Sequence, residues 1–152
     1  MSFAIRRLAP GDEAILALLA VEDADFDLDV RGVPGEPLSP QRARAYLANP
    51  AVLSWVAVDG ETIVGHLQCL HLPLRHGDGE ELLLYEIGVR SAWRRRGAGR
   101  ALLAEMEAWM RAHHVPEVWV LGDNQGAVDF YRACEFAIED EQPVYLTRRL
   151  TE

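Results

Sequence analysis

The segment that most restricts the fold is a junction. An apolar, strand-like run at residues 81–89 is followed by Arg94, Arg95, Arg96, Gly97, Ala98, Gly99 and Arg100, and then by an amphipathic helical pattern. Leu102, Leu103, Met106, Trp109 and Met110 recur at helical spacing, and the helix is expected to end near His113 and His114, before Pro116. Two glycines in a first helical turn cost about 1 kcal/mol each relative to alanine, so they suit close approach of a ligand to bare backbone better than they suit stability. Open N–H groups at the helix start, the macrodipole and the neighbouring guanidinium groups together make a place for a pyrophosphate or similar anion. The pattern is not the dinucleotide GxGxxG signature, because Leu102 stands where its third glycine would fall.

Around this junction, residues 3–8 read as a short strand, and Pro10, Gly11 and Asp12 lead into a helix at 13–21. Residues 22–40 break the periodicity. Acids at Glu22, Asp23, Asp25, Asp27 and Asp29, followed by three prolines, predict an exposed loop with at most a short helical piece. Ser39 before Pro40 has the form of an N-cap with proline at the first helical position, opening a helix that ends near Asn49 and Pro50. Residues 52–58 and 62–72 are strand-like runs joined at the hairpin signal Asp59-Gly60. Strand alternation in 81–89 would place Leu82, Leu84, Glu86 and Gly88 on one face and Leu83, Tyr85, Ile87 and Val89 on the other. A buried strand at 118–121, a helix at 127–133 and closing strands at 136–138 and 144–150 complete the order β α α β β β α β α β β. No linker or repeat divides it, so residues 1–152 are read as one domain built on a mixed sheet flanked by helices.

Composition removes several classes of function. The chain carries 15 basic and 24 acidic residues, a net charge of −9, which argues against binding nucleic acid. No apolar run approaches the roughly 20 residues that span a bilayer, and no leader pattern is present, so a soluble cytoplasmic protein is expected. All 15 basic residues are arginine, which excludes a lysine Schiff base or general base and the phosphate-binding GKS/T loop. Cys69 and Cys134 lack CxxC spacing, and His66, His71, His76, His113 and His114 show no metal spacing with carboxylates, so no metal is expected.

Arg94, Gly97 and Gly99 after residues 85–89 form an RxxGxG pattern that resembles the acetyl-CoA-binding motif of the GNAT N-acetyltransferases. A second segment agrees: Asn124, Ala127, Phe130, Tyr131 and Phe136 are similar to that family's NxxAxxxYxxxGF pattern, with Glu135 in place of the glycine. The resemblance implies an α/β (α+β) GNAT fold, with a central mixed, mostly antiparallel sheet of about six to seven strands flanked by about four helices. It also implies acetyl-CoA as cosubstrate. Ile87, Gly88 and Val89 would line its pantetheine arm. Arg94, Arg95, Arg96, Gly97, Ala98, Gly99 and Arg100 would hold its pyrophosphate, with Asn124, Ala127 and Tyr131 completing the cofactor side.

Acetyl transfer to an amine needs a base, a held oxyanion and an acid for the leaving thiolate. An alkylammonium has a reference pKa near 10.4, so a carboxylate must help remove its proton at neutral pH. Glu86, flanked by apolar residues in the strand that would abut the thioester, is the candidate base. By the resemblance, a strand amide near Val89 holds the oxyanion and Tyr131 protonates the thiolate.

Acids at 22–29, at Glu80, Glu81 and Glu86, at Asp123 and at 139–141 suit a polycationic acceptor if they line one cleft. Residues 82–103 resemble most the aminoglycoside 3-N-acetyltransferases. That likeness implies that Glu86 and Asp123 bind or deprotonate an aminocyclitol amine, with Tyr85 and Asp25 beside it. Another polyamine, an amino sugar or a peptide N-terminus is the alternative acceptor, and acetyl-CoA sensing without turnover the alternative class. The resemblance further allows a homodimer through residues 144–150.

Overall fold

A computed structural model describes residues 3–26, 35–77 and 79–151. Its elements, in chain order, are β1 (Ala4–Arg7), α1 (Glu13–Val21), α2 (Asp23–Phe26), α3 (Pro40–Ala48), β2 (Val52–Asp59), β3 (Thr62–Pro73), β4 (Glu80–Val89), a 3-10 turn at Ser91–Trp93, α4 (Ala98–Ala112), β5 (Glu117–Val120) and α5 (Gln125–Ala133). The five strands lie in sequence order. β1 to β4 run antiparallel, and β5 returns parallel to β4 after the α4 crossover. Among the described residues no helix is long and apolar enough to cross a membrane.

The local signals act as their chemistry dictates. Ser39 caps α3 by accepting from the Arg42 N–H at 3.3 Å, with Pro40 at the first position. Asn124 caps α5 by accepting from the Ala127 N–H at 2.8 Å. Gly60, at φ +63°, turns the β2–β3 hairpin. The acidic stretch after α1 forms the single turn α2, while Asp27 and Asp29 lie outside the described residues.

The sheet is packed on both faces. α4 and α5 cover Leu53, Trp55, Leu67, Leu82 and Leu84 with Leu102, Leu103, Met106 and Tyr131. On the other face α1, α2 and α3 bring Leu19, Phe26 and Leu47 onto Val56 and Leu8.

β4 departs from simple alternation. Gln68 opposes Glu86 and Cys69 opposes Leu84, so Tyr85 is an extra residue in a β-bulge. One added residue reverses the period-2 rule. Leu82 and Leu84 therefore share the α4 face with Ile87 and Val89, and not with Glu86 and Gly88 as alternation predicted. The bulge aims the Glu86 side chain to the α1–α3 side.

The expected closing strands at 136–138 and 144–150 are not strands, and among the described residues the sheet has five strands where six to seven were expected. Phe136 ends α5 by packing its ring on Tyr131 at 5.4 Å. Val144, Tyr145, Leu146 and Leu150 are all more than three-quarters exposed. β-branched and aromatic residues favour extended backbone, but a strand also needs a neighbour to complete its ladder, and among the described residues none pairs with this segment.

Glu135 stands at φ +71° just past α5, the left-handed position where glycine usually ends a helix. Replacing Glu135 with glycine relieves the contact of Cβ with backbone and is expected to add about 0.5–1 kcal/mol of stability. For a chain of this size that is a rise in Tm of about 1–4 °C in a thermal melt.

Candidate active site

The arginine and glycine junction joins the end of β4 to the start of α4. After β4, the 3-10 turn carries the chain into Arg94, whose Nε donates to the Val89 carbonyl at 3.1 Å. Arg95 is at φ +63° and Gly97 at φ +91°, so the backbone coils tightly into α4. The first helical bond runs from Ala101 N–H to the Gly97 carbonyl at 3.0 Å. The N–H groups of Ala98, Gly99 and Arg100 therefore have no carbonyl one turn back, and they face the entrance of a 15-residue helix.

Gly99 meets a second requirement. A Cβ there would lie 3.0 Å from the Phe130 ring, so glycine lets α5 cross directly over the start of α4. Arg100 fastens the same crossing by donating to the Ala133 carbonyl at 3.2 Å. Arg95 and Arg96 are exposed at the loop surface. The residues present thus fit an anionic phosphate group: a helix start with open amides, glycine where a side chain would obstruct, and two outward guanidinium groups.

Beside this loop the β4–β5 ladder stops at the Leu84–Val120 pair. Beyond it β4 continues as residues 85–89, with no ladder to β5 on that side. Ile87 and Val89 turn to the α4 core, whereas Gly88 is buried against α2 and His66. A Cβ at Gly88 would sit 2.7 Å from the Phe26 carbonyl oxygen and 2.9 Å from His66 Nε2. Glycine there is what allows α2 to lie on the sheet.

A cavity of about 520 Å³ opens on the α1–α3 face. Leu16, Leu19 and Ala20 of α1, Asp23 of α2 and Tyr46 of α3 form one side. His66, Gln68 and Leu70 of β3 with Tyr85 and Glu86 of β4 form the floor and far wall. Tyr46 donates its hydroxyl to Gln68 Oε1 at 3.3 Å, and Gln68 Nε2 lies 3.5 Å from His66 Nδ1. Because Gln68 offers its amide hydrogens to that side, Nδ1 is the accepting nitrogen and the ring proton belongs on Nε2. Burial pushes the His66 pKa down to about 4, so the ring is neutral at physiological pH. Burial, reinforced by the nearby Glu86 charge, raises the Tyr46 hydroxyl.

Of the residues expected to meet the acceptor, Tyr85 and Glu86 line this cavity. Asp25 turns away from it. Its carboxylate accepts from Ser91 Oγ at 2.7 Å and from Arg90 at 3.2 Å, and the Ser91 hydrogen bond does most to hold it below the ordinary carboxylate range. Asp123 lies past the end of β5, near enough to Tyr131 for its charge to add to the effect of burial. Together these push the Tyr131 hydroxyl up to about 12. Tyr131 is buried between Phe130 and Phe136 on the α4 face, and stays protonated at neutral pH. Asn124 and Ala127 are joined to each other in the α5 cap.

Sequence reasoning included Asp23 only within the acidic group at 22–29 and weighed His66 only as a metal ligand, and it passed over Tyr46 and Gln68. The available signal was His66 and Gln68, two polar residues two apart in the middle of a mostly apolar strand. Among the described residues no group of three or more His, Cys, Asp or Glu side chains is placed to hold a metal ion.

Comparison with solved structures places this architecture beside an aminoglycoside acetyltransferase from an uncultured soil metagenomic sample. The complex of that protein with trehalose gives a TM-score of 0.84 at 24% identity, covering 98% of this chain and 97% of that one. Its complex with sisomicin gives 0.81 at the same identity and coverage. A ribosomal-protein-alanine N-acetyltransferase from Brucella melitensis gives 0.74 at 16% identity, covering 97% and 99%. These similarities are of fold. In sequence, the mycothiol acetyltransferase of Nocardiopsis dassonvillei is 28% identical over 141 residues, 84% of this chain and 43% of that protein, so the chain spans less than half of that relative's length. The profile of the Acetyltransferase (GNAT) family matches residues 18–136, most of the chain, and the protein belongs to that family.

Proposed function

We propose that the protein transfers acetyl from acetyl-CoA to an amine of a polycationic small molecule, most specifically the 3-amino group of an aminoglycoside. The observation that carries this reading is the placement of Glu86. The β4 bulge sets its carboxylate on the wall of an open cavity, in the strand that runs directly to the α4 entrance. Structural similarity to aminoglycoside acetyltransferases supports the acceptor class.

Acetyl-CoA supplies the activated thioester when bound. The amides of Ala98, Gly99 and Arg100, with Arg95 and Arg96, hold its phosphates, and residues 87–89 lie along its arm. Glu86 takes the proton from the acceptor nitrogen through water, since the side chain is open to solvent. A strand amide near Val89 holds the carbonyl oxygen as the C–N bond forms and the C–S bond breaks. Tyr131 Oη then gives its proton to the sulfur. A thiol with a pKa near 8.5 already leaves fairly well, so Tyr131→Phe is expected to lower kcat only about tenfold.

The test is release of free thiol from acetyl-CoA with gentamicin, sisomicin, kanamycin, spermidine and lysine-bearing peptides. Release with gentamicin and sisomicin supports the reading. Release only with spermidine or peptides replaces the acceptor, and binding of acetyl-CoA without release under any condition favours a sensor. A homodimer joined through the exposed residues 144–150 belongs to the same proposal, and a dimer mass in sedimentation velocity is its expected outcome.

A further inference from the structure

His66 and Gln68 stand two residues apart on β3 and turn to the same face of the sheet, where both line the α1–α3 cavity. They are 5% and 4% exposed. Buried polar side chains are costly unless each finds a partner, and here the partners form one line. Tyr46 Oη donates to Gln68 Oε1 at 3.3 Å, and Gln68 Nε2 donates to His66 Nδ1 at 3.5 Å. Phe26 of α2 packs edge-on against the His66 ring, with 5.2 Å between centroids, and holds the far end. Because the His66 ring is neutral, its Nδ1 accepts and the whole line has one direction.

That direction fixes what Tyr46 can offer a ligand. A phenol has one proton and two oxygen lone pairs, and the Tyr46 proton is committed inward to Gln68. Tyr46 is half-buried on α3 and lines the cavity, so toward that space its oxygen can only accept. Taking an ammonium group out of water costs far more than taking a hydroxyl, and a neutral phenol oxygen offers no charge in return. A hydroxyl is the donor that suits it. Gln68 is the register partner of Glu86, so the line ends beside the strand position at which the acceptor nitrogen is proposed to lose its proton.

We propose that Tyr46 is an acceptor-binding residue that takes a hydroxyl hydrogen from the acceptor, and that Gln68 and His66 are positioning residues that keep the Tyr46 proton turned inward. The acceptor class is then an amino alcohol, with the hydroxyl on the carbon frame beside the reacting amine. This rests on the acetyltransfer reading above. The contact is made in ground and transition state alike, so its loss falls on KM and not on kcat.

The experiment measures thiol release from acetyl-CoA with trans-2-aminocyclohexanol, its O-methyl ether and cyclohexylamine, and with gentamicin as a fourth acceptor. Each variant is compared with the wild type on the same acceptor, which cancels the different basicities of the amines. Tyr46→Phe is expected to raise KM for the amino alcohol about three- to tenfold, the range for one neutral hydrogen bond, and to leave cyclohexylamine within about twofold. Gln68→Leu frees the Tyr46 proton to donate to an ether oxygen. The wild-type preference for the alcohol over its methyl ether should then shrink by about threefold or more, with the far-UV circular dichroism retained. A packing role for these side chains would change every acceptor alike. Equal KM effects on the alcohol and on cyclohexylamine in Tyr46→Phe overturn the proposal, as does an unchanged alcohol-to-ether ratio in folded Gln68→Leu. So does turnover of gentamicin with no small amine accepted. No thiol release with any of the four acceptors overturns the acetyltransfer reading itself, a result distinct from the others.

Discussion

Glu86→Gln is expected to lower kcat for amine acetylation at pH 7.5 by about 10²- to 10³-fold while leaving acetyl-CoA affinity unchanged. The size follows from the acceptor. An amine of pKa near 10.4 is neutral in only about one molecule in a thousand at that pH, so a base is worth at most roughly that factor. Glutamine keeps the size of the side chain on the bulged strand and removes only the proton acceptor. The residual rate then depends on amine that has already lost its proton in solution, and it should climb about tenfold per pH unit between pH 7 and 9.5. The wild-type profile should be flatter over the same range. Steady-state thiol release at several pH values checks both statements, and a uniform drop with parallel profiles would assign Glu86 to acceptor binding and not to proton removal.

The second large effect is on stability in acid. His66 is 5% exposed, and its pKa in the folded protein is about 4 against an ordinary 6.5. Between those values the unfolded chain binds a proton that the folded one refuses, so stability rises with pH across the window and is lost as pH falls from 6.5 toward 4. The difference amounts to about 2 kcal/mol by pH 5 and about 3 kcal/mol at pH 4 and below. The depressed carboxyls act in a lower window. Asp12, held low by Ala9 N–H and Arg6 against the opposing effect of burial, and Asp25, held low chiefly by Ser91, lose their contributions only below the carboxylate value of 3.8. Urea unfolding of the wild type from pH 7 to 4 should show the loss, and His66→Gln should remove the part between 6.5 and 4. An acid limb of the same depth in the variant would place the proton uptake elsewhere.

Both effects arise on one sheet face, and its geometry shows how far local chemistry reaches. Gln68 and Glu86 are register partners, and His66 and Gly88 are the next pair along. Tyr46 from α3 and Phe26 from α2 close over them. None of these adjacencies is within a dozen residues in sequence, apart from neighbours on the same strand.

Much was legible in the residues themselves. The strand, arginine and glycine loop and helix of the junction, the Ser39 and Asn124 caps and the Asp59-Gly60 hairpin each depend on a few consecutive side chains acting on their own backbone. The family follows from the same local segments. Glu135, read as a departure at a turn, is a left-handed residue at that turn.

What only the tertiary structure decided is relational. Tyr85 became a bulge because β3 supplies one residue where β4 supplies two, and this moved Glu86 and Gly88 to the face opposite Leu82 and Leu84. Residues 144–150 have the composition of a strand but no partner strand among the described residues, and Val144, Tyr145, Leu146 and Leu150 are exposed. Asp23 and Asp25 are chemically equivalent in the sequence, and Arg90, some 65 positions away, separates their roles. His66 stays neutral at physiological pH because it is buried on the sheet beneath Phe26 of α2. Periodicity and capping are properties of a few bonded neighbours, and the sequence determines them alone; burial, register and ion pairing are set by groups that meet only when the chain is folded.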